Sequence, residues 1–470
     1  MSTECTQTSF VFEPHGRRQV VARFDGGAIT SDAGALLLRQ VDQRLDLLPR
    51  LAACFHDRRD PQRIEHSVEQ LVSQRVYALA LGYEDLNDHD ELRSDPLLAL
   101  LAGKTDLDGR ERKREQDRGK ALAGKSTLHR LERSTESADR YKKIRCDFDG
   151  VDRLLVDLFI EAHPTEPEEI ILDVDATDTP LHGRQEGRFF HGYYNHYCYL
   201  PLYIFSGEHL LCARQREANQ DPAAGLQPEL ERIVEQIREA WPGVRLVVRG
   251  DSGFGREELM SWCEANGVEY VLGLARNERL RTLIEEAMQQ AAAKQQQSGQ
   301  AARAFTEFAY QTRTSWSRAR RVVAKAEQLE GKENPRYVVT SLGAERWKAQ
   351  ALYEELYCQR GEMENRIKEQ LSLFADRMST ETMRANQLRL YLSSMAYGLL
   401  LGLRRLGLAG TRWARAQTET IRRVLLKVGA RVRGTVRKVW VSMASGYAYG
   451  ELFGEVHEAL RPPKVKPVGV

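Results

Sequence analysis

Two runs of apolar, largely β-branched residues constrain this chain more than any other feature. They are Ile170-Ile171-Leu172-Asp173-Val174-Asp175 and Val244-Arg245-Leu246-Val247-Val248-Arg249-Gly250-Asp251, and each closes on an aspartate. Both read as strands. The spacing predicts helices over about 222–240 and 256–266, the second stopped by Gly267, and another strand over 268–275. Residues 188–199 and 200–213 are rich in aromatic and aliphatic side chains, as paired strands are.

The order is thus three strands, helix, strand, helix, strand, with a later helix around Glu364. It predicts an α/β fold class with a ribonuclease H-like catalytic core. At 470 residues the chain calls for two or three domains. The expected division is a mainly helical region over 1–150, the first part of the core over 165–275, an inserted subdomain with strands over 276–346, the rest of the core over 347–405, and a basic region over 406–470. The insertion opens on a Glu/Gln/Ala-rich helix (280–297) and continues with strands near 304–312, 318–326 and 336–342, which is too structured for a linker. Near the N-terminus, Asp60 is expected to cap a helix beginning at Pro61, with Ile64, Val68, Leu71, Val72, Val76 and Leu79 on its apolar face and Gly82 as its stop. A further helix is read through Leu128, Leu131 and Tyr141.

The net charge of +2 says little as a total, but its distribution is uneven. From Arg404 to Lys438 eleven basic residues face the single acid Glu419, a stretch suited to a polyanion and read as Arg-rich helices. Seven scattered cysteines, never spaced C-x-x-C, argue against a disulfide framework or a zinc site. The start Met1-Ser2-Thr3-Glu4-Cys5 lacks a signal-peptide pattern, and the apolar stretch 390–403 is too short to span a bilayer. A soluble cytoplasmic protein, associated with the nucleoid and not with a membrane, is expected.

Asp175, Asp251 and Glu364 are the candidate metal ligands and catalytic residues. Two strand-end carboxylates and one helical carboxylate can hold a pair of Mg²⁺ or Mn²⁺ ions about 3.5–4 Å apart, the arrangement of phosphodiester chemistry. Asp173 and Asp178 compete for the first position. Asp173 shares a strand face with Asp175, whereas Asp178 falls beyond the strand. On the glutamate helix, Tyr357, Arg360, Glu364 and Lys368 fall on one side, where they could meet DNA phosphates and a cleaved end. Taken singly, each acid is more often a cap or a surface carboxylate; the three together are not so easily dismissed. The acidic stretch from Asp85 fails as a calcium loop, because its sixth and twelfth places hold Asp90 and Pro96. Residues 119–126 match a P-loop letter by letter, yet the charged 111–118 before them cannot be a buried strand, so no nucleotide cofactor is expected. Gly250-Asp251-Ser252-Gly253 resembles a serine-protease loop without the framework that would accompany it.

Tyr357, Arg360 and Glu364 match Y-x-x-R-x-x-x-E, and the chain resembles the DDE transposases of bacterial insertion sequences in the branch with that signature. The resemblance extends to Asp-Ala-Thr-Asp (175–178) with His182-Gly183, to 249–254, to 82–88 and to the structured insertion. It implies two divalent ions on Asp175, Asp251 and Glu364, DNA-end contacts from Tyr357, Arg360 and Lys368, and a homodimer on double-stranded DNA. It also implies N-terminal helices that recognise terminal inverted repeats and an insertion that shapes the DNA end. The basic residue usual seven positions after the glutamate is Leu371 here, with Lys368 and Arg366 nearest. The alternatives are a ribonuclease H-like nuclease or resolvase that cuts without joining, an inactive transposase-derived DNA-binding protein, and an ATPase.

Overall fold

The computed structural model describes residues 9–133 and 142–462; Tyr141 and the N-terminal pentapeptide lie outside them. The chain divides into two compact units, one of Asp147–Leu371 with Ala375–Ser394, the other of Met1–Cys146, Ser372–Phe374 and Met395–Val470.

The larger unit is built on a nine-stranded sheet. In chain order its main strands are β1 (Glu169–Ala176), β2 (Leu202–Ser206), β3 (His209–Arg214), β4 (Arg245–Gly250), β5 (Glu269–Leu274), β6 (Ala302–Tyr310), β7 (Arg320–Leu329) and β8 (Arg336–Thr340). They lie in the order β3-β2-β1-β4-β5-β8-β7-β6. The first three are antiparallel, and β4 and β5 run parallel to β1. Helices Leu226–Ala240 and Glu257–Ala265 make the two crossovers. That is the ribonuclease H-like arrangement expected from the order of elements. The strands of the insertion continue this same sheet through β8 against β5.

Alternation along the strands decides which face carries what. Ile170, Leu172 and Val174 of β1, with Leu246 and Val248 of β4, point into the main core, where Leu230, Ile233 and Ile237 of one crossover helix cover them. Ile171 and Val247 point the other way, into a smaller cluster with Leu352, Tyr353 and Leu356. Asp173 and Asp175 share that second face. The segment covering it is helical throughout but irregular: a π turn at Leu352–Leu356, a 3₁₀ turn at Tyr357–Arg360, then a regular helix Gly361–Leu371. Across the insertion, Arg320 of β7 is buried and holds Glu257 (2.5 Å) and Glu264 (2.8 Å) of the second crossover helix, whose carboxyls its charge helps hold at about 2. The insertion's helix divides into Glu278–Leu283 and Glu285–Ser298.

In the other unit the central helix is Val68–Leu81, buried along nearly its whole length. It starts later than the sequence suggests. Asp60 caps only the 3₁₀ turn Pro61–Arg63, and Ser67 with Gln70 forms the capping box of the helix proper, because Ser67 can accept from the Gln70 amide while Gln70 returns to the Ser67 amide. Residues 119–126 follow a 3₁₀ turn, not a strand. The basic stretch also differs from expectation. Residues 430–434 and 439–443 form an antiparallel hairpin, not helices, which pairs with Ile29–Thr30. Ala430 and Val432 face inward while Arg431 and Arg433 face out, a period-2 pattern hidden in sequence by the density of arginine. Arg404 is buried and donates to the Ala416 carbonyl (3.1 Å), Arg422 donates to those of Ala80 and Ser372, and Lys427 pairs with Asp32 at 2.6 Å. These three are structural; Arg431, Arg433, Arg437 and Lys438 are exposed. Among the described residues no helix is long and apolar enough to cross a membrane.

Candidate active site

The parallel pairing of β1 and β4 brings the first two candidates together. Arg249 lies opposite Asp173 and Gly250 opposite Val174, so Asp251 emerges level with Asp175 on the neighbouring strand, ~4.8 Å away between strand axes. Asp251 turns back on its own loop, its Oδ1 accepting from the Gly253 amide at 2.8 Å. Asp175 Oδ1 accepts from the Ala176 amide at 2.9 Å.

The two aspartates of the first strand and the one just beyond it differ in their partners. Asp173 is buried and accepts two hydrogen bonds from Arg249, Nε to Oδ1 at 2.5 Å and Nη2 to Oδ2 at 2.7 Å. Arg249 also donates to the Leu356 carbonyl at 2.6 Å, which ties the sheet to the π turn. Asp173 is thus already paired with a cation on the neighbouring strand. Asp178 lies 2.8 Å from His196 Nε2, beyond the strand. Asp173 also senses Arg360 and Glu362, but the ion pair to the segment before the glutamate helix is made by Asp175.

The partner of Asp175 there is Arg360. The guanidinium stands between two carboxylates, Nη1 3.4 Å from Asp175 Oδ2 and Nη2 3.2 Å from Glu364 Oε1. Burial pushes the Asp175 carboxyl up to about 6; Arg360 opposes that rise, and the charges of Asp251 and Glu364 add to it. Burial works against the charged form of Arg360, but Asp175, Tyr357, Asp251 and Glu364 together raise its value and keep it cationic. Asp175 thus senses both other carboxylates beside one guanidinium. Among the described residues no group of three His, Cys, Asp or Glu side chains forms a ready-made ion site. Arg360 is the cation between Asp175 and Glu364 instead. The donor set itself is all carboxylate oxygen, the chemistry that hard divalent ions prefer.

Tyr357 and Arg360 are both half-buried, and Glu364 is exposed. Burial raises the Tyr357 phenol, Arg360 opposes that rise and Asp251 adds to it. Its ring lies 5.5 Å from that of Tyr353. A methyl group on Gly273 of β5 would stand 2.6 Å from its hydroxyl and 2.7 Å from the Ser252 amide, so only glycine leaves room there. Lys368 is exposed, one turn beyond Glu364.

Two participants escape a reading by motif. Arg249 is one, though an arginine inside an apolar strand is itself a sign that a buried acid awaits it. The other is the segment between β1 and β2, whose Tyr194 is raised to about 12 by burial and by the charges of Asp178 and Asp175.

The family described as Transposase DDE domain group 1 matches residues 12–465. No curated protein is matched. Among solved structures the chain is similar to a piggyBac transposase in a synaptic complex with hairpin DNA, seen by cryo-EM, at 12% identity and a TM-score of 0.42, over 93% of this chain and 83% of that one.

Proposed function

We propose, from the premise that this chain belongs to the DDE transposase family, group 1, that it cuts DNA at the ends of a mobile element and joins the freed 3′-hydroxyls to target DNA. One observation carries this reading: Arg360 is ion-paired to Asp175 and Glu364 together, while Asp175 feels the charge of Asp251. Asp175, Asp251 and Glu364 would hold two Mg²⁺ or Mn²⁺ ions. Bound there, such ions supply activation of water or of a 3′-hydroxyl and stabilisation of the leaving oxygen.

The chain's own groups do the positioning. The Asp173–Arg249–Leu356 link holds both strands against the π turn that leads towards the glutamate helix. Arg360, released from the carboxylates, is placed to grip a phosphate of the DNA end, and Lys368 one further along. Tyr357 braces the Asp251 loop from the side of β5. In the other unit, the exposed cations of the 430–443 hairpin would hold the DNA backbone, and the N-terminal helices would recognise terminal inverted repeats in a homodimer on DNA.

The test is a strand-transfer assay with the full-length protein, Mg²⁺ and duplexes carrying the element's terminal repeat, read from the DNA flanking its gene. Wild type is expected to join a pre-cleaved end to target DNA, and Asp251→Asn to bind the end without cutting or joining. Cutting without joining by wild type would make the protein a nuclease. An unchanged Asp251→Asn would remove the carboxylates from the chemistry.

A further inference from the structure

The chain between β1 and β2 is more than a connection. Its short strands Thr179–Pro180, Phe189–His191 and His196–Tyr199 form a small antiparallel sheet, with the last strand in the middle. The root of this sheet is tied to the candidate active site. Asp178, three residues past Asp175, meets His196, and Tyr194 packs with Ala176 against Cys198 and Leu200 while sensing the charges of Asp178 and Asp175.

The solvent-facing side of the same hairpin is unusual. Phe190 is 53% exposed, Tyr197 46% and Tyr193 at the turn 86%. Phe190 and Tyr197 are cross-strand partners, so both project from one face, with their rings edge to face at 5.6 Å. Arg188 lies over the Tyr197 ring, 4.6 Å from its centre. Tyr193 stands edge to face against Tyr194, 5.0 Å away. With Phe189 also 38% exposed, this short hairpin forgoes considerable apolar burial. The surroundings are arginine, histidine, asparagine and glycine rather than aliphatic residues. A face of flat rings with a guanidinium stacked among them suits nucleobases better than it suits the aliphatic surface of a protein.

We propose that Phe190, Tyr193 and Tyr197, with Arg188, form a stacking platform for unpaired bases of the DNA end held at the carboxylates. The inference rests on the proposed function, because the end must first be brought to Asp175. Stacking is indifferent to base identity, so the platform would favour an opened end over a paired one without reading its sequence. Opening the end would let the strand that is cut reach the carboxylates while its bases are held apart.

The experiment compares two probes that carry the terminal repeat. One is fully paired, and the other has its last few nucleotides mismatched, with 2-aminopurine among them. Full-length wild type is expected to bind the opened probe more tightly and to quench its fluorescence. Phe190→Ala/Tyr193→Ala should lose that preference, weakening opened-end binding by about tenfold while paired-end affinity is unchanged. Phe190→Tyr/Tyr193→Phe should retain it. Equal weakening for both probes, or an undiminished preference in the alanine variant, overturns the platform. So does an alanine variant that changes oligomeric state with no change in probe preference, because the face would then be a protein contact. A wild-type protein that binds neither probe sinks the transposase reading along with it.

Discussion

Replacing Asp175 by asparagine should stabilise the metal-free protein while ending metal-dependent chemistry. The carboxyl is raised from 3.8 to about 6, by burial first and by Asp251 and Glu364 as well, against the opposing pull of Arg360. Only 17% of the side chain is exposed, so solvent screens little of this. The unfolded chain titrates near the ordinary value, and the folded chain holds the proton more tightly. Stability from this group is therefore full below about pH 4 and is lost as the pH climbs towards 6. At pH 7.5 the ionised form costs ~3 kcal/mol. Asparagine has no proton to lose and can still accept from the Ala176 amide, but it gives up the Arg360 ion pair. A net gain of ~1–3 kcal/mol remains, which for a unit of this size is a rise in Tm of a few degrees. Thermal melts in EDTA between pH 5 and 7.5 would measure it. The gap between variant and wild type should be widest at pH 7.5 and narrow as the pH falls, and Mn²⁺ should raise the wild-type Tm but not the variant's. An asparagine variant that melts at or below wild type at pH 7.5, or a gap independent of pH, would contradict this account.

Gly273→Ala should disable the site with little change elsewhere in the sheet. Its methyl would meet the Tyr357 hydroxyl at 2.6 Å and the backbone of Ser252 and Asp251 at 2.7 and 3.0 Å. A loss of ~1–3 kcal/mol is expected in melts, and Tyr357→Phe should restore only part of it, since the clash with backbone persists. On the 430–443 hairpin, the combined Arg431→Ala, Arg433→Ala and Lys438→Ala variant should bind duplex DNA with a shallower salt dependence, by ~0.9 in slope for each phosphate that is no longer neutralised. Arg404→Ala, which removes a buried structural cation, should instead lower the Tm. Titrations of affinity against salt, alongside melts, distinguish the two.

The legible parts of this protein are those written in local pattern. Ile170–Val174 and Leu246–Val248 are apolar on both sides because helices cover one face of the sheet and the 352–371 segment covers the other. Any chain with such runs must bury them. Helices Leu226–Ala240 and Glu257–Ala265 follow from their spacing and stops. Where local signals compete, pattern and structure part. Asp60 and Ser67 are both good caps, and only packing around Val68–Leu81 selects Ser67. The alternation of Ala430, Arg431, Val432 and Arg433 is obscured by a run of arginines that suits a helix equally well.

Where strands end, and which of them end in acid, is set by neighbours along the chain, because backbone alternation and apolar periodicity are local properties. Which acids are already spoken for is set only by the fold. Asp173 and Asp175 lie on the same face, yet the register of β1 against β4 sets Arg249 beside one and leaves the other to Arg360. That choice depends on partners 76 and 185 residues away in the chain. Charges so distant meet only through folding, and a buried carboxylate takes its character from the cation it meets there.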